Sequence, residues 1–167
     1  MGSARLEKEE PAGHPLTISQ AAERRVGRAG LVGAPILCRM DVSHHTVTDA
    51  DTAERLGSGD LPVLATPRLI NWIERAAFAA AAENLTEGQT TVGTMVKVEH
   101  IKAAPVGTTV HVKSSRPVSD GRRLIFHVRV LDDSGEEVAH GEVQRAVVDR
   151  KRFLRRFGCP PEGTPAT

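Results

Sequence analysis

The sequence predicts an α+β domain in which one long central helix is wrapped by a curved antiparallel β-sheet. A single long helical pattern runs from Pro67 to about Glu83, and four β-rich runs follow it with no second helix between them. The turn signals APVG, VSDG and DDSG separate these runs, which favours antiparallel strands connected in chain order. One helix and such strands form two layers around a single core.

The strand-like runs fall on both sides of the helix. A first strand is expected before it, at residues 35–42 (PILCRMDV), and a polar loop rich in glycine and aspartate then leads to the helix. His44 and His45 lie in that loop without a third obvious ligand, so no metal site is expected. The four later strands are expected at 91–101, 108–116, 122–131 and 137–149.

The length of 167 residues suits one domain with tails. Residues 1–30 mix charge, Gly, Pro and Ala with little apolar periodicity, so we expect a disordered N-terminal tail. The domain is expected at 31–153 and a C-terminal tail at 154–167. The segment KRFLRRFG, from Lys151, is expected to form one basic helical turn, and a solvated helix end explains it more simply than a binding site for CoA phosphates or nucleic acid.

Charge and cysteine content exclude several classes of protein. Lys+Arg 22 against Asp+Glu 21 leaves no field of one sign, which argues against nucleic acid or an anionic membrane as partner. No apolar run approaches the length of a membrane span. Cys38 and Cys159 are far apart and lack metal-ligand spacing, so they suit a reducing cytoplasm better than a disulfide framework.

A glutamate lies at the edge of the apolar face of the predicted helix. Thr66 is expected as N-cap and Pro67 as the first helical residue. Glu74 falls at the edge of the apolar face, where a carboxylate is partly desolvated and able to hold or take a proton unless a partner charge lies near. The alternative is that Glu74 simply reaches solvent. The apolar face itself comprises Leu69, Ile70, Ile73, Ala76, Ala77, Ala80 and Ala81.

Strand alternation separates one histidine from the others. In TVGTMVKVEHI, His100 shares a side with Val92, Thr94, Val96 and Val98, whereas His111, His127 and His140 are in phase with solvent-facing residues. A hydrogen-bonded core histidine is the alternative interpretation of His100. Because Thr66 and Glu74 are about two turns apart, a sheet histidine crossing the helix could contact both, and such a cluster suits acyl transfer.

These residues resemble a known family. The block ATPRLINWIERAA, followed by GQTTVGTMVKVEHIKAAPVGTTVHV and GRRLIFHVRVLDDSGEEVAHGEVQRAVVDRKRF, resembles the fluoroacetyl-CoA thioesterase-like branch of the hotdog-fold thioesterases. The resemblance covers residues 35–153. It depends on the joint spacing of Thr66, Glu74, the VGT at 92–94, His100 and the PVG at 105–107.

The resemblance implies a function and a site. In that family a threonine, a helix glutamate and a strand histidine form the catalytic group, and Thr66, Glu74 and His100 match them. Gly93 matches a glycine that lines the acyl pocket, and its neighbours Val92 and Thr94 are expected to line that pocket as well. The resemblance further implies a homodimer with the active site near the subunit interface, an acyl-CoA or acyl-carrier thioester as substrate, and no metal or redox cofactor.

Three points stay open at the level of sequence. The fluoroacetyl-specific type has aromatic side chains before the threonine, whereas AERLGSGDLPVLAT supplies Leu, Gly and Asp, so the acyl group is not identified. The SGD at 58–60 favours a hotdog hydratase or dehydratase as alternative, but LPVL follows it without the asparagine or histidine of that pattern. A non-catalytic acyl-binding accessory protein is the third interpretation. Either Thr66 or Glu74 can be the attacking group.

Overall fold

The structure is a computed structural model that describes residues 41–158. The predicted N-terminal tail, residues 35–40 of the first predicted strand and residues 159–167 lie outside the described residues. The strands are β1 (Asp41–Thr46), β2 (Gln89–His100), β3 (Thr109–Ser114), β4 (Val118–Asp120), β5 (Arg123–Asp132) and β6 (Glu137–Asp149). The α-helices are α1 (Ala53–Leu56), α2 (Thr66–Ala80) and α3 (Arg150–Arg156), and 3₁₀ turns lie at Asp49–Asp51 and Ala82–Asn84.

The strands form one antiparallel sheet in the order β1-β3-β5-β6-β2, and the short β4 pairs with β5. Helix α2 packs against β1, β2, β3, β5 and β6. The predicted α+β class is therefore confirmed, and four of the expected strands correspond to β2, β3, β5 and β6. Strand β2 lies at one edge of the sheet, which leaves one of its sides without a partner strand within the described protomer.

The core lies between α2 and the sheet. The sheet contributes Phe126, Val128 and Val130 from alternate positions of β5. Small alanines on the buried face of α2 let the helix approach the sheet closely. Trp72 is buried although the sequence pattern left it off the apolar face, whereas Ile70 is only half-buried. The buried residues of α2 are Leu69, Trp72, Ile73, Ala76, Ala77 and Ala80.

The first strand differs from its prediction. Within the described residues β1 spans Asp41–Thr46, so the histidines expected in a loop lie in a strand instead. They point to opposite sides: His44 Nδ1 lies 2.6 Å from His111 Nδ1, and the His45 ring stacks on Trp72 with 4.5 Å between ring centroids. Pairing with β3 stabilises this strand despite its polar sequence, which is why local pattern alone assigned a loop.

The entrance of α2 also differs from its prediction. Ala65 is the N-cap, with an extended backbone, and Thr66 is already helical, so the assignment of Thr66 as N-cap is wrong. The Ala65 carbonyl accepts the N–H of Leu69 at 3.0 Å, and no side chain in the described part of the chain caps the helix. The hydroxyl of Thr66 is therefore available for another partner. At its other end the helix stops at Ala80, and a 3₁₀ turn replaces the expected continuation to Glu83.

Residues 53–64, which we call the cover segment, precede α2. The segment starts with α1, whose end is marked by Gly57 in the left-handed region at φ 67°. Its end is anchored by an isolated bridge between Val63 and Pro105. An ion pair of 2.8 Å between Asp51 and Arg68 ties the chain just before the segment to α2. These contacts hold the cover segment beside the entrance of the helix.

Helix α3 follows directly on β6. The Asp149 side chain accepts the N–H of Arg152 at 2.7 Å and thus caps the helix. The helix is longer than the single basic turn that the sequence predicted, and it crosses the boundary expected at residue 154. Among residues 41–158, no helix is long and apolar enough to cross a membrane.

Candidate active site

Two of the predicted catalytic residues are in contact. The hydroxyl oxygen of Thr66 lies 3.0 Å from Nδ1 of His100. Thr66 is held by the first turn of α2, and His100 is the last residue of β2, so two separate elements meet at this hydrogen bond. A hydroxyl bonded to an imidazole is a pair through which a proton can move.

Burial determines the protonation state of this histidine. Burial lowers the pKa of His100 below its ordinary value of 6.5, and a backbone group of Lys102 offsets part of the shift. Nε2 is buried and has no hydrogen bond of normal geometry to any described residue. The ring is therefore neutral at pH 7 and able to take a proton.

A cleft opens next to the Thr66–His100 pair. Its volume is about 340 Å³, and it lies between the cover segment, the first turn of α2 and the residues after β2. The exposed side chains of Leu61 and Ile101 give it apolar walls, and Asp60 and Lys102 add charged groups. An acyl chain or a pantetheine arm can lie against such a surface and reach the hydroxyl.

Glu74 lies apart from that pair. It follows Thr66 by eight residues, which corresponds to ~12 Å along the helix axis. Its side chain is 39% exposed, and its Oε1 lies 3.6 Å from Nη1 of Arg145. Among the described residues it forms no hydrogen bond with Thr66 or His100. A single protomer thus joins two of the three predicted residues, and the expectation that one histidine contacts both others within a protomer is not met.

Arg145 is a component of the site that the sequence analysis missed. It is 7% exposed, and its Nε donates to Thr91 Oγ1 at 2.9 Å while Nη2 donates to the Thr91 carbonyl at 3.2 Å. Its guanidinium lies 5.4 Å from the ring centroid of Phe78. Burial lowers the pKa of Arg145 and the charge of Glu74 raises it, but a guanidinium stays cationic. Arg145 is thus the cation that lies beside the carboxylate of Glu74.

A signal for Arg145 was present in the sequence. His140 was predicted to face solvent, and Arg145, five residues later on the last strand, falls in the opposite phase. A charged residue in the core phase needs a partner. Alternation therefore predicts that Arg145 is a buried cation that needs a carboxylate as partner.

Gly93 lies directly against Glu74. A Cβ built on Gly93 would be 2.5 Å from Glu74 Oε1, so only glycine leaves room for the carboxylate there. This orientation was not predicted, because alternation placed Gly93 on the side opposite to His100. The reason is a β-bulge between Gly93 and Met95, where the register with β6 shifts and the phase of the strand changes.

The same bulge affects the residues beside Gly93. Thr94 is exposed, and its hydroxyl donates to the Gln144 carbonyl at 3.1 Å, so it does not share the inward side of His100 as predicted. Val92 is half-buried. Of the three residues predicted to line the acyl pocket, Gly93 thus has the clearest contact with a candidate catalytic side chain.

The other histidines lie away from this site. His127 is exposed, and His140 lies near Glu99 and Glu137, with nitrogen–oxygen distances of 3.7 and 3.4 Å. His111 is half-buried between His44 and Asp133, so it is less open to solvent than alternation alone predicted. Within residues 41–158 no group of three or more His, Cys, Asp or Glu is arranged to hold a metal ion.

Comparison with known proteins adds to this geometry. A fluoroacetyl-CoA thioesterase of Streptantibioticus cattleyicolor is 34% identical over 91 residues, which are 54% of this chain and 65% of that protein. The matched part thus spans slightly less than two thirds of that relative.

Solved structures extend the comparison to the fold. A crystal structure of a variant of the fluoroacetyl-CoA-specific thioesterase FlK has a TM-score of 0.66 and 26% identity, and the alignment covers 78% of this chain and 98% of that one. A thioesterase superfamily member from Thermus thermophilus has the same TM-score at 24% identity, over 71% of this chain and 88% of that one, which supports the fold alone. The predicted hotdog fold is confirmed by these likenesses.

The family model of the fluoroacetyl-CoA-specific thioesterases matches residues 47–151. That range contains the Thr66–His100 pair, Glu74 with Arg145, and the Gly93 bulge. The resemblance inferred from the sequence is confirmed, and this chain belongs to the fluoroacetyl-CoA-specific thioesterase family.

Proposed function

We propose that this protein hydrolyses acyl-CoA thioesters to a carboxylic acid and free coenzyme A, with Thr66, Glu74 and His100 as its catalytic group. The observation that carries the proposal is the hydrogen bond between Thr66 and a neutral, half-buried His100 at the edge of a cleft. Membership of a thioesterase family supports the reaction class.

The pair supplies proton transfer at the carbonyl. A neutral His100 accepts a proton at Nδ1, and the hydroxyl of Thr66 is positioned to donate it. The first turn of α2 directs backbone N–H groups without helical acceptors toward the same region, and the helix dipole favours negative charge there. Those N–H groups are suited to stabilise the oxyanion that forms when the thioester carbonyl is attacked.

Glu74 supplies a carboxylate that acts on the carbonyl carbon, either directly or by deprotonating water. In the direct route the carboxylate adds to the carbonyl carbon, the bond between that carbon and sulfur breaks, and water then hydrolyses the mixed anhydride formed on Glu74. In the other route the activated water adds to the carbonyl carbon, and the acid forms when the bond to sulfur breaks. In both routes the CoA thiolate leaves and takes up a proton. The Arg145 guanidinium lies 3.6 Å from Oε1, and Gly93 leaves the space in which that oxygen lies. Both routes give the same products, and both need a charged Glu74.

The separation of Glu74 from the pair supports a homodimer. Among residues 41–158 no strand pairs with the outer side of β2, which carries Gly93, next to Glu74, near its middle and His100 at its end. Antiparallel pairing of β2 with β2 of a second copy would bring the His100 end of one strand toward the middle of the other. Two composite sites would then form, each with Glu74 from one subunit and Thr66–His100 from the other. Sedimentation velocity over a concentration series tests this; only monomer at micromolar concentration would refute it.

The finer points of substrate and location are also proposals. The curated relative is named as a fluoroacetyl-CoA thioesterase. The cover segment of this chain has no aromatic side chain. We therefore propose that the protein recognises its substrate through the CoA portion and not through a fluorine atom. We propose a cytoplasmic location because the two cysteines are far apart in sequence and show no disulfide pattern.

A panel of acyl-CoA esters, read by thiol release, tests the function. We expect at least one ester to be hydrolysed, and His100→Ala and Glu74→Gln each to lose ~10²–10⁴-fold in turnover while staying folded. Glu83→Gln, an exposed glutamate beyond the end of α2, is the matched control and should keep wild-type activity. If no ester releases thiol, the hydrolysis proposed here is contradicted, and the non-catalytic acyl-binding interpretation is preferred.

A further inference from the structure

Helix α3 concentrates positive charge at one place in a chain with a net charge of only +1. The family match ends at residue 151, so most of α3 lies beyond it. The basic residues of this seven-residue helix are Arg150, Lys151, Arg152, Arg155 and Arg156. The thioester chemistry described above uses none of them.

Part of this charge faces a pocket of about 270 Å³ between α3, the first residue of β2 and the turn before β5. Three arginines line it, Arg122, Arg152 and Arg156, and within the described residues none of them forms an ion pair with a carboxylate. Phe153, half-buried, adds an aromatic ring, and Gln89 adds an amide.

One acidic side chain also lines the pocket. Asp149 uses Oδ1 to accept the N–H of Arg152 at 2.7 Å, so this oxygen is engaged in capping α3. Three guanidinium groups against one capping carboxylate leave the pocket positive. Such a lining suits an anion with more than one negative charge.

The lining residues match the chemistry of a phosphorylated purine nucleotide. Guanidinium groups bind phosphate oxygens through paired hydrogen bonds, and several of them suit a ligand with several phosphates. Aromatic rings and arginine planes stack on bases. The adenosine end of coenzyme A carries a 3′-phosphate and a 5′-diphosphate, which supplies both features.

The position of the pocket also fits the length of coenzyme A. Gln89 precedes Gly93 by four residues on β2, a distance of ~13 Å along the strand. About twelve bonds separate the thioester sulfur from the diphosphate, as many as in four residues of extended chain, or ~14 Å. His100 is eleven residues from Gln89, ~36 Å, which is beyond that reach.

We propose that the pocket of Arg122, Arg152, Arg156 and Phe153 binds the 3′-phospho-ADP end of acyl-CoA and delivers the thioester to Glu74 of the same protomer. The inference rests on the proposed thioesterase function and names how its substrate is recognised. It also favours coenzyme A over a carrier protein, since a carrier-bound pantetheine has no adenosine.

The first experiment compares two substrates that share an acyl group, the acyl-CoA that gives the highest turnover and the matching acyl-pantetheine. We expect wild-type KM to be at least ~10-fold higher for acyl-pantetheine. Arg152→Gln/Arg156→Gln should raise KM for acyl-CoA ~10-fold and leave acyl-pantetheine unchanged. Lys151→Gln/Arg155→Gln removes the same charge from α3 outside the pocket lining and should change neither KM by more than about two-fold.

The second experiment measures binding of 3′-phospho-ADP by titration calorimetry and needs no hydrolysis. Wild type and the control pair should bind it, and the pocket pair should not. This pattern would support the pocket even if no thioester is hydrolysed. The binding measurement therefore tests the pocket independently of the proposed thioesterase function. Equal losses in both pairs would overturn the proposal in favour of a general charge effect, and so would equal wild-type KM for the two substrates.

Discussion

The hydroxyl of Thr66 lies 3.0 Å from Nδ1 of His100. Ala65, not Thr66, is the N-cap residue of α2, the helix that also carries Glu74. The threonine side chain is thus used at the cleft and not for helix stability. This contact can be tested in two ways. The pH dependence of activity reports the protonation of His100, and substitution of Thr66 reports the role of its hydroxyl.

Activity should decline on acidification with a midpoint below pH 6.5. Burial lowers the pKa of His100 from 6.5, so the neutral ring persists to lower pH than an exposed histidine and is lost only as pH falls through the lowered value. The logarithm of kcat/KM against pH checks this. His127→Gln, which removes an exposed histidine, should leave the profile unchanged. An acid limb with a midpoint above 6.5 would contradict a neutral His100 as base.

Replacing Thr66 by alanine should affect turnover more than stability. Loss of an N-cap typically costs about 1 kcal/mol, but Ala65 holds that position, so we expect little change in the melting temperature. The hydroxyl that contacts His100 is lost, and turnover should fall by ~10–10². Thr66→Ser keeps the hydroxyl and should retain most activity. A clear drop in melting temperature with full turnover would return Thr66 to a structural role.

A methyl group at Gly93 should displace the carboxylate of Glu74. The added Cβ would lie 2.5 Å from Oε1, so the glutamate must move away from its place beside Arg145. We expect Gly93→Ala to lower kcat by at least ~10-fold. In a Glu74→Gln background, where turnover is already low, the same substitution should add little further loss. Additive losses would show that Gly93 acts independently of Glu74.

Local sequence patterns predicted the parts of the fold that obey a simple period. The helix at 67–83 and the strands β2, β3, β5 and β6 follow hydrophobic periodicity, so their existence and order were predictable. The predicted first strand overlaps β1 only at residues 41–42, and residues 43–46 were assigned to a loop because their sequence is polar and their stability comes from pairing with β3. The orientation of Gly93 was missed because a bulge changes the phase within β2, and single-residue irregularities leave no periodic signal.

The candidate site, like the fold, could be predicted from the sequence only in part. Thr66, Glu74 and His100 were identified from phase and family resemblance, yet the contact between Thr66 and His100 and the separation of Glu74 depend on tertiary placement. Arg145 could have been found by asking which charged residue falls in the core phase of the last strand.

Removing residues 2–25 should leave melting temperature and thioester hydrolysis nearly unchanged. That stretch offers little apolar surface in its sequence that could repay the entropy of ordering. The domain boundaries proposed from the sequence rest on this reasoning. Differential scanning calorimetry of the truncated and full-length chains checks it, and a loss of several degrees in the truncated chain would show that the stretch packs on the domain.

The charge of Arg145 should matter for turnover, because it lies beside the carboxylate that acts on the thioester. Arg145 Nη1 is 3.6 Å from Glu74 Oε1, while its other nitrogens are fixed by Thr91. Arg145→Met keeps a long apolar side chain against Phe78 but removes the cation, so we expect kcat to fall by ~10–10² with a smaller change in KM.

Arg145→Lys tests whether a positive charge at this position restores the kcat that Arg145→Met loses. Lysine restores a positive charge near Glu74 without the paired geometry of a guanidinium, so kcat should recover in part relative to Arg145→Met. A purely structural role would instead make both variants lose melting temperature in parallel with activity. Arg129→Met, an exposed arginine paired with Glu137 on the same sheet, serves as the matched control and should keep wild-type kcat. Wild-type kcat in a folded Arg145→Met variant would remove Arg145 from the catalytic machinery and leave Glu74 without its proposed partner.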